Sequence, residues 1–390
     1  MRTVVLVCLA LAFPAWSLPV ENVKLWKSPF SLGGSTDPEI QMSPDQLIEY
    51  WGYPAEQYTV VTDDGYILPL YRIPRAKGEA PSTQATKKPV VYLQHGLENS
   101  AADWVINLPS ESAAFVFADA GFDDHQFWQF SWDEMANYDL PALLNKTLEI
   151  SGASQVYYVA HSMGTITGFA QFSNDKELAK KIKHFYAMGP VLNMRHVQGP
   201  VKIGAPFTKS ASLVASILGV DEFLPNSKLQ QMVAKYICPQ PLTDILCQNV
   251  LVMISGPTGQ INSSRMPVID AHSPAGTSVQ NVVHFGQMIN SGLFQAYDYG
   301  SAKANRAKYG TDQPPIYDVS KMNIPISIYY GGNDWLAPAS DVLYAISQFP
   351  KVVDSLFLPD FNHMDFAWGV RAAPQVYQPI VKSINNDFKA

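Results

Sequence analysis

Short runs of β-branched and aromatic residues recur along this chain, and each ends abruptly at a turn. Pro89–Gln94, Val156–Val159, Ile182–Met188, Ile324–Tyr330 and Val352–Leu358 have this form. Apolar runs of that length, bounded by glycine or small polar residues, predict strands. Behind Val159 the pattern changes within five residues, Ala160-His161-Ser162-Met163-Gly164, and a helix-like stretch follows from Thr165 to Phe172. Between Met188 and Ile324 lie more than a hundred residues that show no simple strand–helix alternation. Within them Ala211 to Leu224 is apolar enough for a helix, and burial in a core is the expected use of such a face.

The strand–turn–helix change at Ser162 carries the first chemistry. A small-x-Ser-x-Gly turn at a strand end reverses the chain sharply and leaves the serine hydroxyl exposed on a strained backbone. Ser162 is the candidate nucleophile. The run ending at Gln94 leads into His95-Gly96-Leu97, a turn able to aim the Leu97 N–H at a developing oxyanion, with the Met163 N–H as second donor. A serine needs a base, and the base needs an acid that fixes its tautomer. Asp334 follows the strand-like run that ends in Gly331-Gly332-Asn333, and His363 follows the run that ends near Leu358. Asp334 is therefore the candidate acid and His363 the candidate base. Of the seven other histidines, His161 sits inside the turn and faces away from its neighbour, His95 belongs to the oxyanion turn, and the rest follow no strand end. Asp360 and Asp365 flank His363 and could orient it instead, although immediate neighbours rarely reach Nδ1 from the required side.

Longer motifs carry a resemblance. Trp51-Gly52-Tyr53-Pro54, Val60 to Leu68, Leu93 to Leu97, Ala118 to Asp123, Asp133 to Ala136, Tyr138 to Pro141 and His272 to Gln280 together resemble the animal acid lipases, from about Pro38 to the C-terminus. The resemblance implies an α/β-hydrolase fold: a mostly parallel central sheet, helices on both faces and an inserted cap at about 190–315. It implies a lipase that cleaves carboxylic esters of lipids, triacylglycerol or sterol ester. Ser162, Asp334 and His363 fall on its triad positions, and Leu97 and Met163 on its oxyanion positions. The family usually carries Gly where this chain has Ala160, and Gln where it has Met163; neither change removes a needed backbone N–H.

A third departure concerns the sheet. After Asp123 the family continues through a strand and a loop before its Phe-Trp pair, whereas here only Asp124-His125-Gln126 precede Phe127-Trp128. The expectation is that an inner strand is missing, unless the sheet re-registers around the gap. Unsatisfied buried backbone groups cost roughly 1–3 kcal/mol each, against a total stability of about 5–15 kcal/mol. A catalytically impaired lipid-binding relative is therefore one alternative reading. A small-ester or thioester hydrolase with the same triad is another.

Composition narrows the setting. Arg2, the apolar run Val4 to Phe13 and Ala15-Trp16-Ser17 read as a signal peptide over 1–17, too short to span a bilayer. The expected location is the secretory pathway, extracellular or lysosomal, with one hydrolase domain over 18–390. The formal charge of −7 without a basic run argues against nucleic acid. A monomer meeting its lipid ester at an interface is expected, with no transmembrane segment. No zinc or calcium spacing is present, so neither metal nor cofactor is expected. Cys238 and Cys247 remain once Cys8 leaves with the signal peptide; the family pairs cysteines at this spacing, and an oxidising compartment favours that disulfide. Asn145-Lys146-Thr147 and Asn262-Ser263-Ser264 are glycosylation sequons.

Overall fold

The computed structural model describes residues 37–80, 88–126, 131–207, 222–224 and 250–389. Eight strands form one sheet: β1 (Glu56–Val61), β2 (Ile67–Ile73), β3 (Val90–Gln94), β4 (Asp123–Gln126), β5 (Val156–His161), β6 (Ile182–Met188), then β9 (Ile326–Gly331) and β10 (Val352–Leu358). Two short strands between them in sequence, β7 (Glu222–Phe223) and β8 (Thr277–Ser278), pair with each other apart from this sheet. The order in the large sheet is β1-β2-β4-β3-β5-β6-β9-β10. The first two ladders are antiparallel, and every ladder from β4 to β10 is parallel.

Burial on both faces explains why the inner strands read as unbroken apolar runs. Val90, Tyr92, Tyr158, Ala160, Ile326 and Ile328 enter one core cluster, and their sequence neighbours Val91, Leu93, Tyr157, Val159 and Tyr329 enter the other. The alternation follows from the two-residue period of a strand. Helix α1 (Ala113–Asp119) supplies Phe115 and Phe117 to the second cluster, while α2 (Leu140–Ser151) and α3 (Met163–Asn174) supply Leu143, Leu144, Ile166 and Phe169 to the first. Each fully buried large side chain contributes roughly 1.5–3 kcal/mol.

The sheet corrects the expectation of a missing inner strand. Asp123–Gln126 occupies the slot between β2 and β3: Asp124, His125 and Gln126 pair with Ile73, Arg72 and Tyr71, and Asp123 to His125 pair with Val90 to Tyr92. Ladder bonds are made by backbone groups whatever the side chains, so a polar four-residue run fills the position. No apolar pattern announces it.

β3 and β5 are neighbours although β4 lies between them in sequence, so the connections leaving them run in opposite directions. Ligands in open parallel sheets bind beyond the strand ends at such a switch point. Between β6 and β9 the described residues add no strand to the main sheet, but they include helix α4 (Val279–Ser291) and the short helix Val250–Ser255. The signal-peptide reading, Cys238, Cys247, Phe127-Trp128 and most of the Ala211–Leu224 stretch lie outside the described residues.

Candidate active site

At the end of β5 the chain turns through Ser162, whose φ of 55° and ψ of −123° are sparsely populated for a residue with a side chain. Such a conformation costs on the order of 1–3 kcal/mol and persists only where its surroundings enforce it. Here they do. Ser162 N–H donates to Met188 O at 3.1 Å, Thr165 N–H donates to Ser162 O at 2.8 Å, and the Thr165 hydroxyl, which also donates to Ser162 O, accepts the Val191 N–H at 3.0 Å. Close backbone approach makes the glycines obligatory: a Cβ on Gly164 would stand 2.6 Å from Gln94 O, and one on Gly96 would stand 2.9 Å from Ser162 Cβ. The turn after β3 is thereby pressed against the serine. Met163 opens α3, where the first N–H groups have no intrahelical acceptor.

The imidazole of His363 closes on this serine, with Nε2 2.6 Å from Ser162 Oγ. Its Nδ1 lies 2.8 Å from Asp334 Oδ2, while Oδ1 of the same carboxylate accepts the N–H groups of Leu336 at 2.9 Å and Ala337 at 2.7 Å. Because the carboxylate only accepts, Nδ1 carries the proton and Nε2 is left to accept from the serine hydroxyl. Both His363 and Asp334 are buried. The flanking carboxylates are engaged elsewhere: Asp360 pairs with Arg371, and Asp365 binds Asn362 and Thr258. His161 donates from Nε2 to His363 O at 2.8 Å, and burial and the neighbouring His363 hold its pKa well below the ordinary histidine range. It is a neutral brace behind the base.

Three chain segments meet around the pair. A Cβ on Gly331 or Gly332 would stand 2.3 Å from Phe361 O or 2.2 Å from Pro359 O, so the loops after β9 and β10 pack backbone to backbone. From the region between β6 and β9, Ser255 O accepts the Trp335 N–H at 3.1 Å, and Gly256 O accepts from Asn362 Nδ2 at 2.8 Å. Gly189, with φ of 52°, lies under both: a Cβ there would stand 3.2 Å from His363 Nδ1 and 3.4 Å from Asp334 Oδ2. Sequence reasoning missed Gly189 and the 255–260 segment. Gly189-Pro190 directly after the β6 run was a usable signal; nothing local marks Ser255 or Gly256.

Ser162, His161 and His363 open into a cavity of about 90 Å³ whose other walls include Leu97, Val191, Met194, Leu251, Ile254 and Phe285. The structure thus brings Ser162, Asp334, His363 and Leu97 to one place, with Met163 adjoining the serine. Asn145 is exposed on α2, and Asn262 is half-buried, its Oδ1 capping Ser264.

A serine on a strand–helix turn, hydrogen-bonded to a histidine and through it to an aspartate at the ends of later strands, defines the α/β-hydrolase class. The family described as alpha/beta hydrolase fold matches residues 89–370, and a partial alpha/beta-hydrolase lipase region matches residues 44–108. Lipase lipl-1 of Caenorhabditis elegans is 42% identical over 383 residues, covering 91% of this chain and 94% of its own. Human gastric triacylglycerol lipase is 42% identical over 374 residues, covering 90% and 93%. A soluble variant of monoglyceride lipase from Saccharomyces cerevisiae superposes with a TM-score of 0.51 at 12% identity, over 84% of this chain and 94% of that one, a likeness of fold. The chain belongs to the animal acid lipase family of α/β-hydrolases.

Proposed function

We propose that this protein hydrolyses carboxylic esters of lipids through an acyl-enzyme, with Ser162 as nucleophile, His363 as general base and Asp334 as its orienting acid. The observation that carries the reading is the continuous relay from Ser162 Oγ to His363 Nε2 at 2.6 Å and from His363 Nδ1 to Asp334 Oδ2 at 2.8 Å, facing an apolar cavity. His363 takes the hydroxyl proton as Oγ attacks the ester carbonyl, and Asp334 stabilises the imidazolium. The N–H groups of Leu97 and Met163 hold the tetrahedral oxyanion. Collapse expels the alcohol with the proton from His363; water, deprotonated by His363, then attacks the acyl-enzyme, and the fatty acid leaves as His363 returns that proton to Ser162 Oγ.

The apolar walls favour a lipid acyl chain over a polar acyl group. The names of the relatives favour the same substrate class, triacylglycerol above all. The segment at about 190–315 serves as a cap over the serine, and the chain acts as a monomer at a lipid interface after passing through the secretory pathway. No described helix is long and apolar enough to cross a membrane. The reading as an inactive lipid-binding relative rested on a lost strand, and that position is occupied by β4.

The test is turnover by purified protein beside its Ser162→Ala variant, on a soluble short-chain ester and on emulsified triacylglycerol, at acidic and neutral pH. Serine-dependent release of fatty acid from the emulsion is expected. Equal turnover by the variant would remove Ser162 from the mechanism, and activity on the short ester alone would replace the lipid substrate.

A further inference from the structure

Two residues beyond His363, the carboxylate of Asp365 is wholly buried. Its Oδ2 accepts the Asn362 N–H at 2.7 Å, its Oδ1 accepts the Thr258 hydroxyl at 2.6 Å, and Gln260 Nε2 donates to Oδ2 at 3.4 Å. Asn362 answers reciprocally: its Oδ1 accepts the Asp365 N–H at 2.9 Å, and its Nδ2 donates to Gly256 O at 2.8 Å. The turn 362–365 is therefore closed on itself by two crossed bonds, with His363 inside it. The same carboxylate ties that turn to residues 256–260, about a hundred positions earlier.

A structural anchor would need only an acceptor. What sets this one apart is the group it holds, because the turn's second residue presents Nε2 at 2.6 Å from the serine. Misplacing a reacting group by about 1 Å can cost on the order of a hundredfold in rate. We propose that Asp365 is the positioning residue of the base, holding His363 in line with Ser162 through the 362–365 turn and its tie to Thr258. The proposal rests on the reading of His363 as the base.

The groups facing Asp365 give the role a pH signature. From the loop after β10 comes Asp360, which raises its pKa, and from the following turn comes Arg371, which lowers it; the 256–260 segment offers Thr258 and Gln260, neither of which titrates. Burial dominates and pushes the carboxyl up to about 6. The ionised form accepts from all three side-chain and backbone donors, so the turn is held best above that pH and loosens as Asp365 takes up a proton.

The experiment follows kcat and KM on a soluble ester from pH 4 to 8, and the rate of Ser162 labelling by a fluorophosphonate, for the wild type, Asp365→Asn, Thr258→Val and Ser162→Ala. Asp365→Asn is expected to lower kcat at pH 7 by roughly 10- to 100-fold, with KM within about twofold, and to converge on the wild type near pH 4 to 5. Thr258→Val removes a bond to the anion, so it should move the wild-type step upward in pH. A loss in Asp365→Asn that is equal at every pH, or no loss, overturns the proposal. Should Asp365→Asn fail to fold, an unmoved step in Thr258→Val overturns it. If Ser162→Ala is labelled as fast as the wild type, the reading of the site itself fails; if it is unlabelled while Asp365→Asn labels like the wild type at every pH, only the positioning role fails.

Discussion

The two arms of the site are held by different physics. The nucleophile arm, from β3 and β5 into α3, is built from glycine backbone pressed on its neighbours: Gly164 against the Gln94 and His95 carbonyls, Gly96 against the Ser162 side chain, and Gly168 against the Phe185 and Tyr158 rings. The acid–base arm, beyond β9 and β10, is built from polar bonds that reach across the chain, from Asp334 to the N–H groups of Leu336 and Ala337 and from Asp365 to Thr258. Steric packing tolerates almost no substitution but is indifferent to pH. Hydrogen-bonded carboxylates depend on their charge, so they respond to protons and to neutral replacements of the same shape.

Two buried carboxyls show what the difference costs. Asp365 receives several hydrogen bonds, and its pKa rises only to about 6. Asp139, at the start of α2 in the segment that packs against the nucleophile helix α3, has a buried Oδ2 without a hydrogen-bond partner, and burial with Asp64 and Glu134 nearby pushes it to about 8. Donors that favour the anion offset part of the desolvation at Asp365, whereas the carboxylates near Asp139 add to it.

The comparison can be broken in order of expected effect. Ser162→Ala should remove turnover on the order of 10⁶-fold while leaving the melting temperature near that of the wild type, because the strain at the turn is enforced by its neighbours. Asp334→Asn should keep the distances but present the wrong partner to Nδ1, lowering kcat about 10⁴-fold; a loss below tenfold would mean that another group orients His363.

Asp139→Asn acts on stability. The native pKa lies above the ordinary carboxylate value, so the folded chain binds this proton more tightly than the unfolded chain. The contribution is fully present below the ordinary value and is lost as pH rises toward 8. Urea unfolding of the variant should match the wild type near pH 4 and exceed it at pH 8 by on the order of a few kcal/mol. An equal difference at both values would exclude Asp139 as the source. Gly164→Ala should destabilise by about 1–3 kcal/mol at every pH, because its Cβ meets a carbonyl oxygen that a strand holds in place. A pH-dependent loss there would contradict the steric account of the nucleophile arm.

Most of the nucleophile arm was legible along the chain because its causes are local. An apolar run, a serine between small residues and a helical stretch are adjacent in sequence, and the strand–helix turn needs little else. Asp334 and His363 were legible as residues after strand-like runs, and the family motifs added weight to both. The inner strand β4 was not legible, because Asp123–Gln126 pairs through its backbone and shows no apolar period.

By itself, then, the sequence determined the family, the α/β architecture and the candidate nucleophile, acid and base. Tertiary structure decided which carboxylate faces His363. Asp360, Asp365 and Asp334 all stand within reach by sequence, and only the packing of Gly331 and Gly332 on Phe361 and Pro359 brings Asp334 to Nδ1. It also decided that Gly189 and the 255–260 segment support the site. Those contacts join positions from about 80 to more than 170 residues apart, and contacts over such separations leave no periodic trace in a chain.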